Sequence, residues 1–223
     1  MKSDIPKQYL IVEDRPVIGY CIEKFAKNDA IDKLIIVAAN EWIPLINNSI
    51  EAINIDKEIL YASPGITRQL SIKNGLDRIS ELFNVSDYDK VIVHDAARPL
   101  VSNRLINDCL NSCDRDFLGV LPVINVKDTI YYSKDGIHID SLLNRNELFA
   151  GQAPEAFNLK AYIKAHTSVS YEELLSINGS TELAYKVGMK IKLVPGDYMN
   201  FKITDMTDLA NFKNICHESK RTV

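Results

Sequence analysis

The sequence predicts an α/β fold: a mostly parallel sheet with helices on both faces. Three observations carry that expectation. Short β-branched runs alternate with segments of helical spacing along most of the 223 residues. The run Val91-Ile92-Val93 reads as a buried parallel strand and delivers His94-Asp95-Ala96-Ala97-Arg98 to its carboxyl end before Pro99 stops it. The dipeptide Asp135-Gly136 between two β-prone runs predicts a hairpin that breaks the alternation.

The elements follow in chain order. Val17 to Phe25 has the apolar spacing of a helix, and Leu34 to Ala39 and Glu58 to Ala62 read as strands. Thr67 to Leu82 is helical, Val91 to His94 is a strand, Asn103 to Ser112 a helix, and Phe117 to Ile124 a strand. Asp128 to Tyr132 and Ile137 to Ile139 are the expected arms of the hairpin. Helices are predicted for Leu159 to His166 and Thr181 to Gly188, the second ending on glycine. A strand from Lys190 to Val194 and a helix from Asp205 to Cys216 complete the pattern. One domain over 1–223 is expected, with residues at about 125–150 forming a projecting β-arm suited to dimer contacts.

Composition narrows the function classes. Hydrophobic residues make up 46% and charged residues 25%, ordinary for a globular protein, and the net charge of -4 argues against a nucleic-acid partner. No apolar run approaches the roughly 20 residues of a membrane span, and Met1-Lys2-Ser3-Asp4-Ile5-Pro6 has no signal-peptide core, so a cytoplasmic protein without a membrane partner is expected. Cys21, Cys109, Cys113 and Cys216 form no Cys-x-x-Cys pair and read as free, mostly buried thiols.

In open α/β sheets ligands bind at the carboxyl ends of strands. Asp95 there can hold a metal or a hydroxyl, and Arg98 a phosphate. His94 is an acid–base candidate or, more simply, a packing residue. Gly65-Ile66-Thr67-Arg68-Gln69-Leu70-Ser71 runs from a strand end into a helix, where a glycine lets the backbone approach a ligand. Lys7 after Pro6, and Lys202 in Asn200-Phe201-Lys202-Ile203-Thr204, are surface charges or phosphate ligands.

In order, P-K-Q-Y-L, G-x-x-R-x-x-S, H-D-A-A-R-P, D-T-I, Q-x-P-x-x-F, T-E and N-F-K-I-T resemble the cytidylyltransferases that activate sugar-alcohol phosphates with CTP. The resemblance spans the chain from Pro6 to the last helix and implies a Rossmann-like fold. Two branches are close, one making CDP-methylerythritol and one CDP-ribitol. The resemblance implies that Lys7 neutralises the CTP phosphates, and that Gly65, Ser71, Asp95 and Ala96 bind the nucleotide. Asp95 would also meet Mg²⁺. Arg98, Thr181 and Lys202 would hold the substrate, with Lys7 and Lys202 catalytic. Thr129 and Arg145, on or beside the arm, would reach the partner's site in a homodimer. The implied reaction is in-line attack of the substrate phosphate on the α-phosphorus of CTP, releasing pyrophosphate.

Departures from the family pattern are informative. Met1 falls in register with an internal methionine of the family, so a strand and a glycine-rich loop of roughly twenty residues are expected upstream, the first glycine here being Gly19. A start assigned too late explains this best; a shortened chain, or an impaired paralogue that keeps partner binding, are the alternatives. Ala153 and Glu155 stand where the family has Thr and Gln in Q-T-P-Q. Leu183, Asn144-Arg145 and Gly151-Gln152 resemble the ribitol branch, whereas Ala96-Ala97 resembles the methylerythritol branch. The balance falls slightly to ribitol 5-phosphate. A nucleotidyltransferase for sugar 1-phosphates would keep other motifs.

Overall fold

The structure, a computed structural model, describes residues 5–221, with side chains described to residue 218. The register of Met1 therefore lies outside the described residues. The elements are β1 (Ile11–Val12), β2 (Arg15–Pro16), α1 (Val17–Ala26), β3 (Lys33–Val37), α2 (Ile43–Ile53), β4 (Glu58–Ala62) and α3 (Arg68–Leu82). They continue as β5 (Lys90–Val93), α4 (Asn103–Ser112), β6 (Gly119–Asn125), β7 (Ile130–Tyr132), β8 (Ser141–Leu143), β9 (Phe149–Gly151) and β10 (Glu155–Asn158). The chain closes with α5 (Leu159–Thr167), α6 (Tyr171–Ser176), α7 (Ser180–Lys186), β11 (Ile191–Pro195) and α8 (Met206–Arg221).

The main sheet has the order β11-β6-β10-β5, with β9 added to β6. β6 and β11 pair in parallel, and β10 runs antiparallel between β5 and β6, so β5, β6 and β11 all point the same way. β3 and β4 form a separate parallel pair. Period-two alternation explains the layers. Val91, Val93, Phe157 and Ile191 face a cluster built by α3, α5, α6 and α7, where the Phe157 and Tyr162 rings stack with centroids 4.0 Å apart. Ile92, Val120, Ala156 and Val194 face α4 through Leu105 and Cys109. α1 and α2 cover β3 and β4 through Ile22, Ile36, Ile46 and Ile59. Helices thus lie on both faces, as the alternation predicts.

Local chemistry sets the helix starts. Thr67 caps α3 by accepting from Leu70 N at 3.2 Å, and Ser102 caps α4 by accepting from Leu105 N at 3.2 Å. β10 and α2 were not anticipated. β10 is short, opens with a glutamate and follows a proline, so its sequence reads as loop; pairing on both sides makes it a strand.

The hairpin needs a correction. Its second strand is Ser141–Leu143, with Tyr131 opposite Leu142, and not Ile137 to Ile139. Asp135 Oδ1 accepts from the backbone N of Ile137 and His138, at 2.8 and 2.9 Å, and so wraps those residues into a wide turn. Gly136 takes φ +72° there, a left-handed conformation that favours glycine.

Candidate active site

The site forms where β5 ends. Arg98 N donates to Asp95 O at 2.9 Å, closing a tight turn that Pro99 ends. The turn aims Asp95 and Arg98 to the same side of the sheet. Its other prop is His94, whose Nε2 lies 3.0 Å from the Arg98 carbonyl and whose ring packs 4.9 Å from Phe25. Burial pushes the His94 imidazole down to about 4, so it is neutral near pH 7 and acts as packing, not as an acid.

Asp95 is the hub. Arg68, on the first turn of α3, places Nε 3.1 Å and Nη2 3.0 Å from Oδ1. Lys202 Nζ lies 3.0 Å and Arg98 Nε 3.5 Å from Oδ2. Burial alone would raise the Asp95 carboxyl, but Arg68 and then Lys202 overcome this and hold it well below the usual carboxylate range. Lys7, on a single 3₁₀ turn from Lys7 to Tyr9, feels the same field. Burial and then neighbouring Lys202 depress its ammonium, with Asp95 and Asp208 opposing. Lys7, Arg68, Arg98 and Lys202 outnumber Asp95, Glu155 and Asp208, so positive potential remains for an anion.

The cluster is braced from behind. Arg98 Nη1 donates to the Asn200 carbonyl at 2.8 Å, and Asn200, fully buried, donates its own amide to the Ala153 carbonyl at 2.6 Å. Arg68 also donates to Ser180 Oγ, and its Nη2 stands 3.5 Å from Glu155 Oε1. Glu155, only 7% exposed, accepts from Thr181 N at 2.8 Å and from Thr181 Oγ1. Burial would lower the Arg68 guanidinium, but Asp95 and Glu155 reverse this and raise it.

The structure thus brings together Asp95, Arg98 and Lys202 directly, Lys7 within their electrostatic reach, and Thr181 through Glu155 and Arg68. Gly65 and Ser71 form the neighbouring turn. Ser71 Oγ accepts from Gly65 N at 3.0 Å and donates to Thr67 O at 2.9 Å. A Cβ on Gly65 would stand 2.4 Å from Leu70 Cβ, so this turn closes only with glycine. Ala96 packs toward Tyr9 and Ile22, and its carbonyl accepts from Cys21 Sγ at 3.4 Å. Thr129 and Arg145 are exposed on the arm, where Arg145 Nη1 donates to Lys127 O at 3.0 Å; among the described residues no hydrogen bond joins them to the Asp95 cluster. Leu183 is fully buried in the core beneath α7. Sequence reasoning gave Arg68 no role and treated Glu155 only as a departure. The signal was there: an arginine one turn from Gly65, and a lone carboxylate just ahead of the apolar pair Ala156-Phe157.

Residues 1–218 match the 2-C-methyl-D-erythritol 4-phosphate cytidylyltransferase family. The chain belongs to that family. It is therefore a nucleotidyltransferase of the cytidylyltransferase class, with the Rossmann-like fold of that class. A ribitol-5-phosphate cytidylyltransferase of Lactiplantibacillus plantarum is 29% identical over 205 residues, covering 92% of this chain and 87% of the relative. The 4-diphosphocytidyl-2C-methyl-D-erythritol synthase of Anaerococcus prevotii superposes with a TM-score of 0.80 at 26% identity, over 96% of this chain and 90% of that one. The 2-C-methyl-D-erythritol 4-phosphate cytidylyltransferase of Francisella tularensis gives 0.78 at 28% identity, over 94% of each chain. Family members of both substrate names thus resemble this chain to a similar degree. The buried cysteines also fit the sequence reading: Cys21, Cys109 and Cys113 are buried, and burial pushes Cys21 and Cys109 up to about 12. Among the described residues no helix is long and apolar enough to cross a membrane.

Proposed function

We propose that this chain transfers CMP from CTP to a sugar-alcohol phosphate, ribitol 5-phosphate ahead of 2-C-methyl-D-erythritol 4-phosphate, with release of pyrophosphate. The observation that carries the reading is the excess of cationic donors around Asp95 at the carboxyl end of β5. The substrate phosphate oxygen attacks the α-phosphorus of CTP, that P–O bond forms, and the bond to the β-phosphate oxygen breaks. Little covalent chemistry falls to the protein; positioning and positive charge do the work. Arg98 and Lys202 hold the attacking phosphate and offset its repulsion from CTP. Lys7 faces the charge that grows on the departing pyrophosphate. Gly65 and Ser71 shape the nucleotide turn, with Ala96 as its floor.

Magnesium fits one carboxylate here. Mg²⁺ commonly takes one or two carboxylates together with substrate phosphates, and Asp95 is the carboxylate that would hold it, exchanging a cation contact to do so. The described residues offer no cluster of three His, Cys, Asp or Glu for an all-protein cage. The ion would supply charge neutralisation of the triphosphate.

The ribitol preference draws on the Lactiplantibacillus plantarum relative and on Asn144-Arg145 and Gly151-Gln152. A homodimer through the arm is part of the reading. Tyr131, Tyr132, Leu142 and Phe149 are exposed there at 47–64%, an apolar surface that a second copy would cover and that would carry Thr129 and Arg145 toward a partner's cleft. A cytoplasmic setting accords with free thiols and with CTP as substrate.

The test is CTP-dependent pyrophosphate release with Mg²⁺, offering ribitol 5-phosphate and methylerythritol 4-phosphate in parallel. Release is expected with ribitol 5-phosphate first. Release with methylerythritol 4-phosphate alone would reverse the substrate order, and none with either would leave the impaired paralogue.

A further inference from the structure

We propose that Glu155 fixes the polarity of Thr181, so that Thr181 recognises a hydroxyl of the sugar alcohol and not its phosphate. This deepens the cytidylyltransferase reading and rests on it. A threonine hydroxyl has one proton and two lone pairs. The Thr181 Oγ1 proton points at Glu155 Oε2, which also accepts from Thr181 N at 2.8 Å. The other carboxylate oxygen faces Arg68 Nη2 at 3.5 Å. Each of these groups around Glu155 is a donor, and an arginine cannot accept, so the carboxylate acts as acceptor throughout. The Thr181 proton is thereby committed inward.

What Thr181, partly buried, has left to offer a ligand is lone pairs. A phosphate oxygen is itself an acceptor, and lone pair against lone pair repels. A polyol hydroxyl donates and fits. The phosphate has other partners, since Lys7, Arg98 and Lys202 are donors without acceptor capacity. The cleft is therefore uneven: lysine and arginine donors gather around Asp95 for the phosphate, and Thr181 offers acceptor lone pairs for the polyol. Arg68 joins the sides by touching both Asp95 and Glu155.

Glutamine at 155 would not serve equally. Its amide nitrogen would meet either Arg68 or Thr181 N, donor against donor, or would turn to Thr181 Oγ1 and free that proton for a phosphate. Glu155 is thus a positioning residue that acts through Thr181.

The experiment compares the wild type with Thr181→Val, Thr181→Ser and Glu155→Gln, using the full chain with CTP and Mg²⁺. It reads KM and kcat for ribitol 5-phosphate and methylerythritol 4-phosphate, the inhibition constant of inorganic phosphate, and direct binding of each by calorimetry. Thr181→Val and Glu155→Gln are expected to weaken the preferred polyol phosphate about 10-fold, as loss of one hydroxyl contact does, while inorganic phosphate stays within about 2-fold. Thr181→Ser should restore wild-type values. Equal weakening of inorganic phosphate and polyol phosphate in Thr181→Val would overturn the inference and leave the activity standing. Unchanged binding of both would do the same. If Glu155→Gln fails to fold, the valine and serine variants at 181 still decide. Absence of pyrophosphate release and of polyol-phosphate binding in the wild type would remove the cytidylyltransferase reading and this inference together.

Discussion

The end of β5 and the arm between β6 and β9 are held by opposite means. At the end of β5, Asp95 sits among three cations, of which Arg68 has further partners in Ser180 and Glu155 and Arg98 is braced by the Asn200 carbonyl. Removing Asp95 would leave these cations without their shared counter-charge. On the arm, β7 and β8 pair only with each other, and their apolar residues lie open: Tyr131 is 57% exposed and Leu142 opposite it 64%. Charged residues are packed where the fold is tight, and apolar residues are exposed where it is loose. That inversion of the usual arrangement is what the proposed reading explains, with an anion completing one surface and a second copy of the chain the other.

The comparison can be broken most sharply at the cluster. Lys202→Ala or Lys7→Ala is expected to lower kcat by about 100-fold or more, the size seen when one preorganised donor is lost, with the circular dichroism spectrum unchanged. Near-normal turnover in either variant would take that lysine out of the mechanism. On the arm, the double change Tyr131→Asp with Leu142→Asp should shift sedimentation toward the monomer while moving the thermal midpoint by only a few degrees, as exposed substitutions do. A dimer that survives it would place the subunit contact elsewhere.

Gly65→Ala tests the turn proposed to shape the nucleotide site. The added Cβ, 2.4 Å from Leu70 Cβ and 2.7 Å from the Leu70 carbonyl carbon, should cost about 1–3 kcal/mol in urea unfolding and weaken CTP more than the polyol phosphate. The smallest effect concerns acid. His94 and His166 are both depressed by burial, His94 to about 4, so the folded state keeps them neutral where the unfolded chain takes up protons. Stability from these two groups is complete above pH 6.5 and is lost as pH falls toward 4. A thermal midpoint that stays flat between pH 6.5 and 4.5 would contradict that sign. Asp95, also depressed, adds its loss only below the ordinary carboxylate range.

Much of this was legible in the residues because the signals are local. β4 and α4 match their expected bounds since apolar period and caps lie within each segment. Asp95 and Arg98 stood out at the end of an apolar strand, Lys7 and Lys202 were singled out by the family resemblance, and the structure puts Arg98 and Lys202 on Asp95. What was missed depends on tertiary context. Ile137 and Ile139 alternate like a strand, but the Asp135 side chain takes the backbone N–H groups of Ile137 and His138. β10 has too little sequence to declare itself, and its order comes from the strands on either side. The role of Arg68 depends on Asp95 and Glu155, 27 and 87 residues away, and no local pattern encodes such a distance.

The antiparallel course of β10 has a mechanical consequence. Because it runs against its neighbours, its first residue, not its last, lies at the ligand edge, with Glu155 opposite Val93 at the end of β5. Glu155 therefore belongs to a strand hydrogen-bonded on both sides. Lys7 belongs to a three-residue turn, and Lys202 to an irregular segment between β11 and α8. On the proposed reading, the polyol side of the cleft would work as an anvil set into the sheet, and the phosphate-holding lysines as jaws carried on irregular chain. Amide hydrogen exchange would separate the two as different clocks, slow at Ala156 and Phe157 and fast at Lys7 and Lys202.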